Sequence, residues 1–283
     1  MNRAILFWFY RDIDICKNRL RILKTYNPKT KIFGLYGGNI NEFEKYKIKL
    51  NKYFNDLYCF QTSKTNQWKW RHGDLMINTW FKERGYLLNW ESIVVVQWDM
   101  LIFGSIKNIF NNVKKDELLF SGLRPVNEVE SWWPWVKKGS NEREDYIKCI
   151  NNIKLNTEKK VKALCCLFIV VIFTRSFLEK YAYIKDEEVG FLEYKIPTYA
   201  NAWGYKFHND SLNKPWWAAD PKTKSINKIE KTLIAIKQTV SLDVVKYHLS
   251  KNDGNRIFHP YFKKIPLWKI KLFRLFKFFS KLF

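Results

Sequence analysis

Two apolar runs flanking a helical period, all within the first forty residues, limit the fold of this chain more than any other feature. Ile5 to Tyr10 (ILFWFY) is continuously apolar, as a strand buried on both faces must be. The next segment, DIDICKNRLRILKTYN, places Ile13, Cys16, Leu20 and Leu23 at helical spacing, and Pro28 closes it. Lys31 to Tyr36 (KIFGLY) then reads as a second strand ending at Gly37-Gly38. Strand, helix and strand within about thirty residues form the unit of a parallel sheet with right-handed crossovers. The predicted class is therefore α/β: a mixed, mostly parallel, Rossmann-like sheet flanked by helices.

The rest of the chain extends this pattern. A charged helix is predicted over Asn41 to Phe54, a short strand over Leu57 to Phe60 and a helix over Asp74 to Gly85. Ile93 to Gln97 (IVVVQ) is a β-branched buried strand followed at once by Trp98-Asp99, and Leu118 to Gly122 reads as another strand. Lys137 to Lys162 is polar enough for surface loop and helix. Ala163 to Phe173 (ALCCLFIVVIF) is a buried strand or a core helix, since its 11 residues fall short of the about 20 that cross a bilayer. Val189 to Gly204 contains a helix begun or interrupted near Pro197. Asn227 to Ser250 reads as an amphipathic helix or a pair of helices. With no repeat and no Gly/Ser- or Pro-rich linker, the expected organisation is one domain, 1–262, and a C-terminal appendage, 263–283.

Composition narrows the class of partner. The chain has 283 residues and is 47% apolar, which excludes wholesale disorder. Its net charge of +23 calls for an anionic partner: nucleic acid, a phosphorylated ligand or an anionic membrane. Aromatics reach 18%, with 13 Trp, which suits stacking on rings or sugars, or a membrane interface. The cysteines, Cys16, Cys59, Cys149, Cys165 and Cys166, are odd in number and form no C-x-x-C pair. They are expected as free thiols in a reducing compartment. The N-terminus lacks the h-region and cleavage site of a signal peptide, so a cytoplasmic protein is expected.

Ile265 to Phe283 (IPLWKIKLFRLFKFFSKLF) holds five cations, no acid and twelve large apolar residues. On a helix, Trp268, Leu272, Leu275, Phe276 and Phe279 share one face, and Lys271, Arg274, Lys277 and Lys281 gather opposite. Such a helix suits the headgroup plane of an anionic membrane, each cation adding about 1 kcal/mol. Docking back on the domain is the plainer alternative.

Several groups have the chemistry of a site. Asp99 stands at the carboxyl end of an apolar strand, where open α/β sheets bind ligands. It either holds a divalent cation that neutralises a diphosphate or caps the next turn. His259, in RIFHPYFKK, is a metal ligand or a structural imidazole. Glu193 either complements a helix dipole or serves as a general base toward a hydroxyl. QWKWRHGD offers Lys69 and Arg71 to phosphates and Asp74 to a ribose or a cation, or is a basic surface loop. The Trp clusters SWWPW (Trp132, Trp133, Trp135) and KPWWAAD (Trp216, Trp217) stack on sugars and bases or pack at a core edge. Gly34, Gly37 and Gly38 mark a turn after a strand.

Taken in order, these segments resemble a GT-A-type glycosyltransferase, a nucleotide-sugar-dependent enzyme of bacterial surface-polysaccharide synthesis. ILFWFYRD resembles the strand and turn that cradle the nucleotide. NPKTKIFGLYGG resembles the second strand, and VVQWDM the Asp-x-Asp strand end. FLEYKIPTYANAWGY resembles the segment bearing the catalytic base, and RIFHP the late metal-binding His. The likeness covers most of residues 3 to 262, with Gln97 standing where the first Asp of Asp-x-Asp would be.

The resemblance implies a GT-A-like fold and a metal site of Asp99 and His259 for Mn²⁺ or Mg²⁺. It also implies Glu193 as base, with inversion at the anomeric carbon. The donor pocket would be lined by Phe9, Tyr10 and Arg11, with Trp98, Lys69, Arg71 and Asp74 beside it. The partners implied are a nucleotide-sugar donor, a lipid-linked or lipopolysaccharide-type glycan acceptor and an anionic membrane, with no nucleic acid. The protein would lie peripherally on the inner face of the cell membrane. A nucleic-acid-binding protein or a non-catalytic membrane-surface scaffold are the rivals. Deleting 265–283 is expected to release the protein from anionic vesicles in a sedimentation assay, and unchanged sedimentation rejects the tail's membrane role.

Overall fold

In the computed structural model, residues 1–157, 161–185, 187–209, 217, 220–222, 227–234, 239–266 and 268 are described. The opening unit forms as its pattern demands. Strand β1 (Arg3–Phe9) is buried from Ala4 onward. Helix α1 (Ile13–Tyr26) lays Ile15, Cys16, Leu20 and Leu23 against the sheet. Its cap is Asp12, whose carboxylate accepts from the Ile15 amide at 3.2 Å. Strand β2 (Ile32–Tyr36) returns parallel to β1, with Ile5 opposite Ile32.

Helix α2 (Phe43–Leu50) is shorter than the predicted Asn41–Phe54 span, because 3-10 turns take both ends. It leads to β3 (Asp56–Cys59), then to α3 (Asn66–Arg71) and α4 (Gly73–Glu83). Strand β4 (Ser92–Gln97) then enters on the other side of β1, parallel to it, with Trp8 opposite Gln97.

The second half completes the sheet. After β5 (Leu101–Ile102) and α5 (Ile106–Ile109) come β6 (Glu117–Phe120) and β7 (Arg124–Pro125). Helix α6 (Arg143–Leu155) is followed by β8 (Leu164–Cys165), β9 (Val171–Thr174), α7 (Arg175–Tyr181) and α8 (Leu192–Ala202). Last come β10 (Lys206–Phe207), α9 (Leu242–Ser250) and β11 (Ile257–Phe258). The main sheet has seven strands in the order β10-β6-β9-β4-β1-β2-β3. Only β9 runs against its neighbours, β4 and β6. This is the mixed, mostly parallel α/β sheet predicted from the sequence.

Two segments depart from expectation. The apolar run Ala163–Phe173 is neither one strand nor a helix: β8 pairs with β7, β9 enters the main sheet, and Cys166–Val170 loops between them. Ser121 makes that loop possible inside the core. Its backbone pairs with Leu167 and Val170, and its hydroxyl donates to the Leu167 carbonyl at 2.6 Å and accepts from the Val170 amide at 3.0 Å. Buried backbone groups must find such partners. The Asn227–Ser250 segment is not a continuous helix either. Lys228–Glu230 is a 3-10 turn, Leu233 bridges to His259, and α9 begins only at Leu242.

The end of the domain is tied to α1. The Asn18 side chain exchanges two hydrogen bonds with the Ile265 backbone, at 2.7 and 3.0 Å. Buried Arg19 donates to the Tyr261 carbonyl and, at 2.9 Å, to that of Lys263. Burial lowers its pKa to about 10. Ile265 itself is buried, so packing runs past residue 262. The amphipathic helix predicted beyond it lies outside the described residues, apart from Ile265, Pro266 and an exposed Trp268.

Helices α4, α7 and α8 meet at a buried charge pair. Lys195 Nζ lies 2.7 Å from Asp74 Oδ2, both side chains are 1% exposed, and the Tyr181 hydroxyl donates to the same oxygen at 2.7 Å. Removing one member leaves an unpaired charge in the core. Asp74→Asn is expected to cost about 3–5 kcal/mol of stability in urea unfolding. The pair replacement Asp74→Leu with Lys195→Met should recover most of that loss.

Candidate active site

The strand order changes direction at β1: the chain builds β2 and β3 on one side, then places β4 on the other. Loops leaving β1 and β4 therefore part, and a crevice opens at their carboxyl ends, as open α/β sheets require. The cleft there has a volume of about 530 Å³. Tyr10, Arg11, Asp99, Glu193 and His259, drawn from distant stretches of the chain, all line it.

Asp99 and His259 are brought together by the smallest of ladders. Strand β5 follows Asp99 closely and β11 immediately precedes His259, and the two pair antiparallel, Leu101 opposite Phe258. The Tyr261 amide then donates to the Asp99 carbonyl at 2.8 Å. His259 Nε2 stands 3.6 Å from Asp99 Oδ1. Its Nδ1 lies 3.1 Å from the Ile234 carbonyl, an acceptor only, so Nδ1 carries a proton and Nε2 is the nitrogen turned toward Asp99. Asp99 Oδ1 is buried without a hydrogen-bond partner. A buried carboxylate oxygen without a hydrogen bond, beside an imidazole nitrogen, is a donor set that fits a divalent cation as two of its ligands. No cluster of three His, Cys, Asp or Glu able to hold a metal occurs among the described residues.

Arg11 covers this end of the cleft. Its guanidinium lies 4.8 Å from the Trp98 ring centre and 5.4 Å from that of Tyr10. Trp98 in turn stacks on Phe262 at 5.8 Å. The rings orient Arg11 without neutralising it, which leaves a cation available to an anionic ligand.

Glu193 occupies the first turn of α8, and Pro197 shapes its surroundings. Proline has no N–H to return to the carbonyl four residues back. That carbonyl, of Glu193, instead accepts from the Cys166 amide at 2.8 Å. The Glu193 carboxylate accepts from the Phe168 amide at 2.8 Å, and the Gln97 side chain donates to the Phe168 carbonyl. The Cys166–Val170 loop is thus clamped between the end of β4 and the start of α8. Desolvation pushes Glu193 up to about 8, against the pull of its one amide donor. A carboxyl poised there suits proton transfer near neutral pH.

Other candidates lie elsewhere. Phe9 does not line the cleft: side chains alternate along a strand, so it points with Phe7 into the core and stacks on Phe54 at 5.7 Å. Asp74 is sealed in its buried pair with Lys195 and cannot meet a ribose or cation. Lys69 donates to the Gly38 carbonyl at 3.0 Å. Arg71 is held between Glu142 and Asp145, each at 2.5 Å. Trp98 is buried and does not line the cleft; it meets it only through Arg11, which rests on its ring. Trp132, Trp133, Trp135 and Trp217 all line the cleft, Trp133 and Trp217 from buried positions and Trp132 and Trp135 half-buried, and Trp216 lies outside the described residues.

Sequence reasoning missed Trp8, Trp70, Gln97 and Phe168, all of which line the cleft. Trp8 is seated where a side chain on Gly73 would come within 2.3 Å of its ring, and its indole N–H has no partner. The alternation of Phe7, Trp8 and Phe9 was the available signal, hidden because both faces of β1 are apolar.

No family model matches the chain, and no curated protein matches it. Among solved structures, the chain is similar to apo WbbM, a bifunctional glycosyltransferase, at 9% identity over 93% of this chain and 47% of that one, with a TM-score of 0.47. It thus spans about half the length of that neighbour. It is also similar to a cytidylyltransferase from Leptospira borgpetersenii serovar Hardjo-bovis at 15% identity, over 75% of this chain and 77% of that one, with a TM-score of 0.39.

The raised Glu193 pKa has a stability consequence. The unfolded carboxyl ionises near 4.5 and the folded one near 8, so the native state loses stability as pH rises between these values. Glu193→Gln keeps an oxygen for the Phe168 amide and removes the charge. Its melting temperature is expected to exceed that of the parent at about pH 9 and to match it at about pH 4, where both carboxyls are protonated.

Proposed function

We propose that the chain is a nucleotide-sugar-dependent glycosyltransferase acting on a glycan acceptor. The observation that carries this reading is the convergence of Asp99, His259, Arg11 and Glu193 on one cleft at the switch point of the sheet. Asp99 and His259 would hold a divalent cation, Mn²⁺ or Mg²⁺. That cation would supply positive charge to the diphosphate of the donor. Arg11, oriented by Trp98 and Tyr10, meets the same phosphates. Both offset the negative charge that builds on the leaving group.

Glu193 takes the proton from an acceptor hydroxyl. The hydroxyl oxygen bonds to the anomeric carbon as the bond from that carbon to the diphosphate oxygen breaks, and the electron pair leaves with the nucleoside diphosphate. A direct displacement of this kind inverts the anomeric carbon. Because Glu193 works only when ionised, kcat/KM should rise with pH through about 8 in the free enzyme.

The acceptor's lipid linkage and the peripheral membrane setting rest on the basic aromatic tail and on the net charge of +23. Among the described residues, no helix is long and apolar enough to cross a membrane.

The test is thermal melting against uridine, guanosine, cytidine and thymidine diphosphates with and without Mn²⁺. One of them at about 100 times its Kd should stabilise the protein by about 2.7 kcal/mol. The shift should need Mn²⁺ and vanish in Asp99→Ala. No shift with any diphosphate rejects the reading.

A further inference from the structure

The cleft has a second end, and its chemistry is the opposite of the first. Trp135 and Phe191 stack with ring centres 4.2 Å apart. Trp70 leans on both, at 5.4 and 5.2 Å, and is 54% exposed. All three line the cleft, as does Trp132. A large aromatic left half in water, beside two others in a concave wall, is the arrangement of a binding surface rather than of a core.

The electrostatics of this shelf say what it takes. The cation against Trp135 is Arg71, 5.4 Å from its ring, and Arg71 is neutralised by Glu142 and Asp145. A surface for single-stranded nucleic acid pairs stacking rings with free cations that follow the phosphates. Among the described residues, the cation that lines the cleft without a carboxylate, Arg11, stands at the Asp99 end, and the shelf cation is paired. What remains, among the described residues, is a broad apolar face whose one stacked cation is already outnumbered by its two carboxylate partners, so it offers nothing to a phosphate. The apolar C–H face of a pyranose matches it, with the sugar hydroxyls directed to the polar rim. Phe191 caps α8 two residues before Glu193, and both line the same cleft.

We propose that Trp70, Trp135 and Phe191 form a subsite for a neutral pyranose of the acceptor glycan, which docks by stacking while the donor occupies the Arg11–Asp99 end. The assignment to the acceptor rests on the transferase reading; the assignment of a neutral sugar does not.

The experiment is saturation-transfer NMR on the full chain with methyl glycosides of glucose, galactose, mannose, rhamnose and N-acetylglucosamine. Uridine diphosphate with Mn²⁺ and a thymidine oligonucleotide are measured beside them. At least one glycoside should receive saturation at its ring C–H protons. Its affinity should fall roughly 2- to 12-fold in Trp70→Ala, from the worth of one aromatic contact. Trp70 is the safer site to alter, being half exposed; Trp135→Ala is the second variant, its fold checked by melting. Diphosphate binding should be unchanged in both.

Absence of saturation on every glycoside overturns the subsite, as does equal affinity in both variants. Displacement of the glycoside by the oligonucleotide at lower concentration overturns it in favour of a nucleobase. Glycoside binding without diphosphate binding rejects the transferase and leaves a sugar-binding cleft. Diphosphate binding without glycoside binding rejects the shelf and leaves the donor site standing.

Discussion

Strand β1 has no face that water can accept, and the architecture follows from that. With apolar side chains on both sides from Ala4 to Phe9, it must sit in the middle of the sheet with helices above and below. Its neighbours β2 and β4 are buried strands of the same kind, β2 reached from it through α1 and β4 from β3 through α3 and α4, and both run parallel to it. Parallel neighbours end at the same edge. That edge is where Tyr10, Arg11 and Asp99 emerge, so the cleft is a by-product of burying three apolar strands side by side. Its charged residues need no special scaffold beyond the turn that follows each strand.

The cleft's two ends then differ by how charge is compensated. At the Asp99 end, Arg11 rests on rings, and His259 Nε2 faces a buried Asp99 oxygen that has no hydrogen bond. Opposite, Arg71 is locked between two carboxylates, and aromatic surface dominates. Glu193 belongs to a third environment, shielded enough from water to hold its proton near neutrality. The proposed displacement, in which a neutral hydroxyl attacks a carbon, gives up one proton and expels an anionic leaving group, matches this division.

Local pattern revealed the parts of the fold that depend on local pattern. The β1-α1-β2 unit and β4 were legible because burial on both faces and helical spacing are properties of contiguous residues. Asp99 was legible for the same reason, as a carboxylate at the end of such a strand. What escaped depended on partners far away in sequence. The β5–β11 ladder that sets His259 beside Asp99 has two residues in each strand, too few to leave a pattern. Phe9 was misplaced because a strand apolar on both faces conceals which residues alternate together. Asp74 looked available because its partner Lys195 lies in the middle of a helix more than a hundred residues on. The break in Ala163–Phe173 carries no glycine or proline; the hydroxyl of Ser121 makes it, from another strand's end.

Gln97 is where a carboxylate would complete the Asp-x-Asp pattern, and its amide is already committed. It donates to the Phe168 carbonyl, while Glu193 accepts from the amide of the same residue. One residue's backbone therefore links the strand that carries Asp99 to the helix that carries Glu193. An aspartate at 97 would set oxygen against oxygen and release the loop. The substitution that restores the motif on paper would thus undo the anchorage on which Glu193 depends. In this fold the amide at 97 and the proline at 197 fasten the same loop, one by holding the Phe168 carbonyl and the other by leaving the Glu193 carbonyl free for the Cys166 amide.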